Sequence, residues 1–335
     1  MTEYSTRLAV VGAGYWGKNL VRNYAELGVL AGICDSDADA AARHCANHPG
    51  ARPFSNPADV AADPDIDAVA ISTPAVTHGE LVRLFLNAGK QVFVEKPLCL
   101  DVVEAEELGA LAKDRGLTLM VGHLLLYHPA FQALRAEVEK GRLGKLRYIY
   151  SNRASLGKIR TEENALWSFA PHDVSMILAL TGRMPQKVIA TGAHYITDGV
   201  ADVTLSHLTF SENLQAHIFV SWLHPFKDHR LVVVGSDAMI VFNDVEQGAD
   251  KLLLYPHTAT TEDNLPVVAK AEAEAVPYAD DEPLRLECQH FLDSIANKSQ
   301  PTSDAAEGLR VLKVLHTCEE AILAGEPVAV SETGA

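Results

Sequence analysis

The fold of this chain is decided by the stretch LAVVGAGYWG, residues 8–17. Its first four residues are apolar, and glycines follow at Gly12, Gly14 and Gly17. This G-x-G-x-x-G pattern is informative only where a β-strand precedes it and a helix follows it. Both conditions are met here, because Leu8–Val11 has strand composition and the residues after the last glycine have helical spacing. The stretch therefore predicts a strand, a tight turn and the start of a helix in a parallel sheet.

Strand-like and helix-like segments alternate through the first third of the chain. Short runs rich in β-branched residues recur at Val29–Cys34, Ala68–Ser72, Gln91–Val94 and Thr118–Val121. Ala- and Leu-rich segments with helical spacing separate these runs. The alternation is typical of a parallel sheet with helices on both faces. We therefore expect an α/β Rossmann domain over residues 1–123.

The pattern changes in the second part of the chain. Apolar and polar residues alternate with a period of two through much of residues 186–245, for example in Ala201–Phe210 and Gln215–Trp222. Such alternation predicts antiparallel strands with one buried face. We expect residues 124–335 to form an α+β domain with a large, mostly antiparallel sheet, and its two closing helices could pack back on the first domain.

The composition limits the classes of protein to which the chain can belong. It has 335 residues, 48% of them hydrophobic and 21% charged, which suits two globular domains. The net charge of −16 argues against nucleic acid or an anionic membrane surface as a partner, although a local basic pocket could still bind a phosphorylated small molecule. No apolar run approaches the roughly 18 residues of a membrane helix. The polar first residues contain no secretory segment, so we expect a cytoplasmic protein.

The cysteines and histidines indicate neither a disulfide framework nor a metal site. The five cysteines are scattered and include no Cys-x-x-Cys pair, which favours reduced thiols. His44, Cys45 and His48 lie close together, but no matching ligand cluster stands elsewhere in the sequence. A polar helix end is the favoured interpretation of these three residues, and we expect no metal.

The glycine turn has the features of a dinucleotide site. Gly12 permits the tight turn, Gly14 lets a pyrophosphate approach the backbone, and Gly17 lets the helix pack against the sheet. The free N–H groups and dipole at the start of the helix favour the phosphates. Tyr15 and Trp16, at the start of this helix, suit packing against the cofactor. The alternative is a glycine turn in a Rossmann-like fold that holds no cofactor.

An acidic residue, Asp35, ends the second predicted strand. Its carboxylate can accept hydrogen bonds from the adenosine ribose hydroxyls, whereas a 2′-phosphate would meet a negative charge. No Arg or Lys follows until Arg43. The expected cofactor is therefore NAD rather than NADP.

Two further segments lie at strand ends, the edge at which doubly wound sheets bind ligands. Their residues are Ser72, Thr73, Pro74 and His78 in the first segment and Glu95, Lys96 and Pro97 in the second. Together with the glycine turn and Asp35, these segments resemble the glucose–fructose oxidoreductase and inositol dehydrogenase family, Gfo/Idh/MocA. The resemblance extends over nearly the whole chain.

The resemblance implies roles for these residues. In the family, the Lys of the Glu-Lys-Pro element is catalytic, and its peptide bond to Pro is commonly cis. Lys96 is thus expected to contact both the reacting hydroxyl and the nicotinamide ribose, where an ammonium stabilises a developing alkoxide. The other residues expected to bind the cofactor are Ser72, Thr73, Pro74, His78 and Glu95.

The family's second catalytic element is a His that follows one Asp by four residues and precedes another by three. Here His172 matches the His, but Ser168 and Ser175 replace the two Asp residues. A mechanism that relies on the first carboxylate is therefore in doubt, although Asp173 could compensate for it.

The sequence around His172 suits a general base. We expect a helix from about Pro171 to Thr181, whose buried stripe does not include His172. A helix N-terminus disfavours imidazolium and lowers its pKa, so a neutral imidazole could accept the hydroxyl proton. The alternative is a helix-capping His with no chemistry.

Residues 156–173 are similar to the branch of the family that oxidises nucleotide sugars, in particular UDP-N-acetylglucosamine at C3. A basic loop overlaps this segment and suits a diphosphate, with solvated surface charge as an equal alternative. Its residues are Arg153, Lys158 and Arg160. Trp167 could stack on a sugar face or on nicotinamide. Tyr127, just after the last Rossmann strand, is a further candidate sugar contact.

The resemblance therefore predicts an NAD-dependent sugar dehydrogenase. Its expected reaction converts UDP-N-acetylglucosamine to the 3-keto derivative, for amino sugars of surface glycans such as lipopolysaccharide. Three alternatives remain open: an inositol or free-sugar dehydrogenase, a 3-ketosugar reductase, and a non-catalytic NAD-binding regulator. The exposed sheet face implied by residues 201–245 needs cover, so we expect a homodimer or homotetramer through that sheet.

Overall fold

The computed structural model describes residues 4–157, 159–325 and 328–329. These residues form two compact units. Unit 1 comprises the chain up to Tyr127 together with Asp281–Leu312, and unit 2 comprises His128–Asp280 and the chain from Lys313 onwards. The first boundary thus falls four residues beyond the expected division at 123/124, and residues 281–312 belong to unit 1.

Unit 1 contains a six-stranded parallel sheet. Its strands are β1 (Leu8–Val11), β2 (Leu30–Cys34), β3 (Arg52–Phe54), β4 (Ala68–Ile71), β5 (Gln91–Glu95) and β6 (Leu119–Gly122). The strand order is β3-β2-β1-β4-β5-β6, so the direction of winding reverses between β1 and β4. Ligands of such sheets bind beyond the carboxyl ends of the strands at this reversal. The predicted Rossmann architecture is confirmed.

The helices of unit 1 follow the strands. They are α1 (Gly17–Glu26), α2 (Ala38–Ala46), α3 (Pro57–Ala62), α4 (His78–Asn87) and α5 (Val102–Arg115). Side chains cap several of them, and Asp101, for example, accepts a hydrogen bond from the backbone N–H of Glu104 at 2.8 Å. β1 and β4 are buried along their whole length, as expected for strands covered on both faces.

Unit 2 contains a mostly antiparallel sheet. Its first strands along the chain are β7 (Leu146–Ala154), β8 (Lys187–Ala193), β9 (Val203–Thr209), β10 (Gln215–Ser221), β11 (Asp228–Gly235), β12 (Met239–Asn243) and β13 (Leu252–Tyr255). A separate hairpin of β14 (Thr258–Glu262) and β15 (Leu265–Ala269) follows, and then come β16 (Glu274–Ala275) and β17 (Val328–Ala329). The sheet order is β16-β13-β12-β11-β7-β10-β9-β8-β17, in which only β7 and β10 pair in parallel. The predicted α+β class is confirmed.

Four further α-helices lie in the described residues. They are α6 (Pro129–Glu139) in unit 2, α7 (Ala165–Thr181), also in unit 2, and the closing pair α8 (Pro283–Asn297) and α9 (Ala305–Ala324). Of these, α7 packs against β7, β9 and β10. Within the residues that the structure describes, no helix is long and apolar enough to cross a membrane, and no group of three or more His, Cys, Asp or Glu residues could hold a metal.

Two local predictions about unit 2 were wrong. The helix that carries His172 begins at Ala165 rather than near Pro171, because Asn164 caps it and accepts the N–H of Trp167 at 3.2 Å. Pro171 therefore lies inside the helix. The expected basic loop is also shorter than predicted, because β7 continues to Ala154 and therefore includes Arg153.

Candidate active site

The glycine turn joins β1 to α1 at the reversal of strand order. Gly12 has φ +90°, and a Cβ atom there would lie 2.9 Å from the backbone of Ser72. A Cβ at Gly17 would collide with the carbonyl of Gly12, whereas a Cβ at Gly14 would have open space around it. Only glycine fits at Gly12 and Gly17, whereas the open space at Gly14 leaves room for a phosphate to approach the backbone. The residues present therefore fit a dinucleotide.

Asp35 stands beside this turn, directly after β2. Its Oδ2 accepts the backbone N–H of Ala13 at 2.8 Å, and its Oδ1 accepts that of Asp37 at 3.0 Å. The side chain is half-buried, so part of the carboxylate remains accessible. A carboxylate fixed next to the glycine turn is suited to accept the ribose hydroxyls of an adenosine.

The Ser-Thr-Pro segment follows β4 and is tied to the glycine turn. The hydroxyl of Ser72 donates to the carbonyl of Gly12 at 2.6 Å. Thr73 and Thr77 share a hydrogen bond between their hydroxyls at 2.7 Å. Pro74 then precedes a short 3₁₀ turn, Ala75–Thr77. These contacts fix the rim of the groove between the ends of β1 and β4.

His78 does not line the groove, in contrast to its expected contact with the cofactor. Only 1% of its surface is exposed. Nδ1 lies 2.7 Å from the carbonyl oxygen of Pro97, and Nε2 lies 2.9 Å from that of Thr73. Burial lowers the pKa of the imidazole. A neutral imidazole has a single N–H, so it can donate to only one of these two carbonyls at a time. His78 thus contacts the loops that follow β4 and β5, and any effect it has on a cofactor is indirect.

The Glu-Lys-Pro element lies where β5 ends. The Lys96–Pro97 peptide is cis, as the resemblance implied. The carboxylate of Glu95 accepts the indole N–H of Trp16 at 2.5 Å. Burial raises the pKa of Glu95 to about 7, although the hydrogen bond from Trp16 acts in the opposite direction. The site thus contains a carboxyl group that titrates near neutrality next to Lys96.

The two aromatic residues of the glycine turn differ in their surroundings. Tyr15 is 89% exposed, and the Nζ of Lys18 lies 5.1 Å from the centre of its ring. Trp16 is 38% exposed and is held by Glu95. Both rings therefore retain surface that a ligand can cover, and among the described residues of unit 1 only the indole has a hydrogen-bond partner.

His172 is half-buried within α7. Because the helix begins seven positions earlier, at Ala165, His172 is not at a helix N-terminus, and the argument that the helix dipole lowers its pKa does not hold. The hydroxyl of Ser175 donates to the carbonyl of His172 at 2.8 Å. The residue does lie outside the fully buried stripe formed by Val174 and Ile177, as expected.

Asp173 does not replace the missing family carboxylate. The residue is fully buried. Its Oδ2 accepts from the Nε of Arg153 at 2.9 Å, and its Oδ1 accepts from the hydroxyl of Ser151 at 2.5 Å. Because Arg153 is committed to this buried ion pair, its predicted contact with a diphosphate is not supported. A phosphate could bind it only by displacing Asp173.

The remaining predicted substrate residues have different settings. Arg160 is 38% exposed at its side chain and pairs with Glu163 at 3.2 Å. Trp167 is 8% exposed, and its ring meets His316 edge-on at 5.1 Å. Tyr127 is also buried, and its hydroxyl lies 2.8 Å from that of Ser303, so its predicted sugar contact is not supported. Lys158 lies outside the described residues.

Sequence reasoning missed two sets of ionisable side chains that are buried or half-buried. One surrounds Asp244, whose carboxylate lies within 4 Å of His128, His229 and Lys251. The other is Glu287 on α8, whose two carboxyl oxygens are buried and without a hydrogen-bond partner among the described residues. The side chains around Asp244 come from separate elements, and Glu287 stands in no motif. No signal in the sequence could therefore have identified them.

Comparison with known proteins agrees with this geometry. Residues 6–123 match the model of the oxidoreductase family with an NAD-binding Rossmann fold, and residues 131–241 match the Gfo/Idh/MocA C-terminal domain. The chain belongs to the Gfo/Idh/MocA family of oxidoreductases. It is an enzyme of the dehydrogenase class, and its cofactor is NAD.

Individual relatives have different substrates. The chain is 31% identical to the UDP-N-acetylglucosamine 3-dehydrogenase of Acidithiobacillus ferrooxidans, over 91% of this chain and 94% of that one. It is 26% identical to the NAD-dependent scyllo-inositol 2-dehydrogenase of Bacillus subtilis, over 89% of each chain. Among solved structures, a crystal form of the same A. ferrooxidans enzyme, GnnA, gives a TM-score of 0.83 at 30% identity and covers 95% of this chain and 97% of that chain. A putative oxidoreductase from Magnetospirillum magnetotacticum MS-1 gives 0.81 at 34%, covering 93% and 99%.

Proposed function

We propose that the protein oxidises a hydroxyl of a nucleotide sugar, with UDP-N-acetylglucosamine as the substrate and C3 as the carbon that is oxidised. The observation that carries this proposal is the similarity to a relative of that activity, 31% identical over 91% of the chain. The product would be a 3-keto sugar, and the reaction would serve the synthesis of amino sugars for surface glycans such as lipopolysaccharide.

In this proposal, Lys96 and His172 have different roles in the reaction. NAD supplies the acceptor for the hydride that leaves the sugar carbon. The ammonium of Lys96 stabilises the alkoxide that develops on the oxidised hydroxyl. The imidazole of His172 accepts the hydroxyl proton as a general base. Ser168 and Asp173 supply no carboxylate for this step, because the first has none and the second is bound by Arg153.

The residues that bind the diphosphate are a smaller set than the sequence suggested. Arg160 remains a candidate, because its side chain is partly exposed and its partner Glu163 is also near the surface. Lys158 remains a candidate on sequence grounds. A guanidinium that exchanges one surface carboxylate for a diphosphate loses little, because exposed ion pairs are weak. Trp167 could support the sugar only with the small part of its ring that is exposed.

The second candidate is an inositol dehydrogenase. The similarity to the scyllo-inositol 2-dehydrogenase of B. subtilis supports it, because that relative also covers 89% of the chain. Inositol lacks phosphates, so an enzyme for it would have no use for Arg160 in binding. The effect of this residue on KM therefore separates the two candidates.

A substrate screen with NAD⁺ tests the proposal. The purified protein would be mixed with UDP-N-acetylglucosamine, UDP-glucose, N-acetylglucosamine, myo-inositol and scyllo-inositol, and the absorbance of reduced cofactor would be followed. We expect turnover with UDP-N-acetylglucosamine and little with the free sugar. Turnover of an inositol alone would replace the proposal with the second candidate. Arg160→Gln should raise KM for the UDP-sugar and leave kcat nearly unchanged.

We also propose that the protein forms a homodimer or homotetramer through the open face of the unit 2 sheet. The register places Tyr150 opposite His217, with ring centres 5.3 Å apart, and Ile189 opposite His207 on the same face. Ile189 and Leu205 are 41% and 46% exposed, so this face carries apolar surface that the described part of the chain does not cover. Light scattering would measure the mass, and a monomer would contradict the proposal.

We propose that the reaction takes place in the cytoplasm, in keeping with the proposed substrate and cofactor. The five cysteines agree with this location, because all are free thiols, and reduced thiols persist in that compartment. Fractionation of the producing cell, followed by detection of the protein, would test this point.

A further inference from the structure

Glu95 connects two segments that come from different strands. Its carboxylate accepts the indole N–H of Trp16 at 2.5 Å and also the backbone N–H of Lys96. Trp16 belongs to the turn after β1, and Lys96 belongs to the loop after β5. The strand order places β4 between β1 and β5. One carboxylate therefore ties together the segments on either side of the end of β4.

The surroundings of Glu95 make this link sensitive to charge. Lys96 stands beside it in the same loop, and His123 approaches it from the segment after β6. Glu287 faces it from α8, and Tyr24 faces it from α1. His123 is itself bound to Glu307. The ammonium of Lys96 and the indole of Trp16 favour the carboxylate form of Glu95, whereas burial disfavours it.

Glu287 is the second carboxyl of this cluster. It is fully buried, and its oxygens have no hydrogen-bond partner within the described part of the chain. Burial, together with the charge of Glu95, raises the pKa of Glu287 well above its usual value. Glu95 is bound by the indole of Trp16 and Glu287 has no such partner, so Glu95 is the carboxyl of the two that connects the segments.

Protonation of Glu95 would weaken both of its bonds. A carboxylate accepts hydrogen bonds about twice as strongly as a neutral group does. The attraction to the ammonium of Lys96 would be lost as well. The backbone that presents Lys96 and the indole that lies at the glycine turn would then be less firmly held.

We propose that Glu95 is a positioning residue: as a carboxylate it fixes the backbone of Lys96 and holds Trp16 at the end of β5, and it releases both when it takes up a proton. The proposal rests on the proposed role of Lys96 in the reaction. It predicts that activity falls on the acid side of neutrality because Glu95 acts through Lys96. This effect is separate from any proton that His172 accepts.

Tryptophan fluorescence tests the proposal without substrate or cofactor. The emission of the wild-type protein would be followed from about pH 5 to about pH 9, across the ordinary pKa range of buried acids and imidazoles. We expect a transition near pH 7 that is absent in both Glu95→Gln and Trp16→Phe. Trp167 and Trp222 remain in both variants and provide an internal reference. A transition that persists in Glu95→Gln would overturn the proposal.

The pH profile of kcat provides the second test. Activity should fall as the pH drops through the pKa of Glu95. The bond from Trp16 lowers that pKa, so Trp16→Phe should move the acid limb to higher pH. If Trp16 had a purely structural role, Trp16→Phe would lower kcat without moving the acid limb of the profile.

An exposed Glu→Gln variant serves as the control for this profile. Glu80→Gln changes an exposed helix position and should leave the acid limb in place. If no substrate is turned over, the proposed function fails and the fluorescence alone decides the role of Glu95. If turnover is seen but the limb stays fixed in Trp16→Phe, only the positioning role is lost.

Discussion

The guanidinium of Arg153 and the carboxylate of Asp173 form a buried ion pair inside unit 2, with Nε 2.9 Å from Oδ2. Asp173 directly follows His172 in α7, and Arg153 lies in β7. The pair therefore joins the helix that carries the proposed base to the strand beneath it. It also removes both residues from the set that could contact a substrate.

Breaking this pair should destabilise the protein strongly. Arg153→Met leaves a fully buried carboxylate with Ser151 as its remaining side-chain partner. The loss of one member of a buried pair costs about 3–5 kcal/mol, because the other charge stays uncompensated. Urea denaturation would measure this loss. The double variant Arg153→Met, Asp173→Asn should recover part of it, since no charge then remains in the interior.

An exposed ion pair provides the control for this measurement. Arg135→Met removes a partner of Glu139 on the surface of α6, where the side chains are 37% and 61% exposed. Such pairs contribute less than about 1 kcal/mol. Equal losses for Arg135→Met and Arg153→Met would show that burial does not decide the strength of the Arg153 pair.

The fold was largely predictable from the sequence because its signals are local. The glycine turn, the apolar strands around it and the period-two segments each report the structure of their own residues. The start of α7 was missed because Pro171 is typical of a first helical turn, whereas the actual cap is Asn164. The hairpin of β14 and β15 was missed because its strands are exposed on both faces and so lack an apolar pattern.

The residues of the site were predictable only where they belong to a sequence motif. Gly12, Asp35 and Lys96 belong to such motifs, and the first two lie where the motif predicts. Arg153 was misassigned because a basic residue near a loop gives no sign that its partner, Asp173, comes from another element. The bond between Trp16 and Glu95 joins residues far apart in the chain, and only the sheet order brings them together.

The stability contributed by His78 should depend on pH. Burial lowers the pKa of its imidazole in the folded protein, so the unfolded chain takes up a proton at a higher pH than the folded one does. The contribution of His78 is therefore present above the ordinary His pKa and is lost as the pH falls below it. The free energy of unfolding of the wild type and of His78→Gln would be measured by urea denaturation between about pH 8 and pH 5. The difference between the two proteins should become smaller at low pH.

A second histidine variant controls for the change of residue type. His194→Gln alters an exposed position and removes an imidazole without touching the contacts of His78 with Thr73 and Pro97. A difference in the free energy of unfolding between wild type and His78→Gln that grows as the pH falls would contradict a lowered pKa for the buried imidazole.

Loss of the proposed base should affect turnover more than binding. General-base assistance is typically worth ~10²–10⁴-fold, so His172→Ala should lower kcat by about that factor. The affinity for NADH, measured by fluorescence titration, should stay within about twofold, since general-base help belongs to the chemical step. Lys96→Met should lower kcat as well and should also weaken NADH binding if Lys96 contacts the nicotinamide ribose. An unchanged kcat in either variant would remove that residue from the mechanism.

The preference for NAD should depend on Asp35. Its carboxylate is fixed beside the glycine turn by the N–H of Ala13, where it can accept the ribose hydroxyls and repel a 2′-phosphate. Hydrogen bonds to a charged group are worth about 1.5–3 kcal/mol, so Asp35→Ala should lower kcat/KM for NAD by roughly 10–100-fold and leave that for NADP unchanged or higher. Asp37→Ala is the matched control, because that carboxylate caps α2 without facing the turn. If the ratio of kcat/KM for NAD to kcat/KM for NADP were the same in both variants, Asp35 would not select the cofactor.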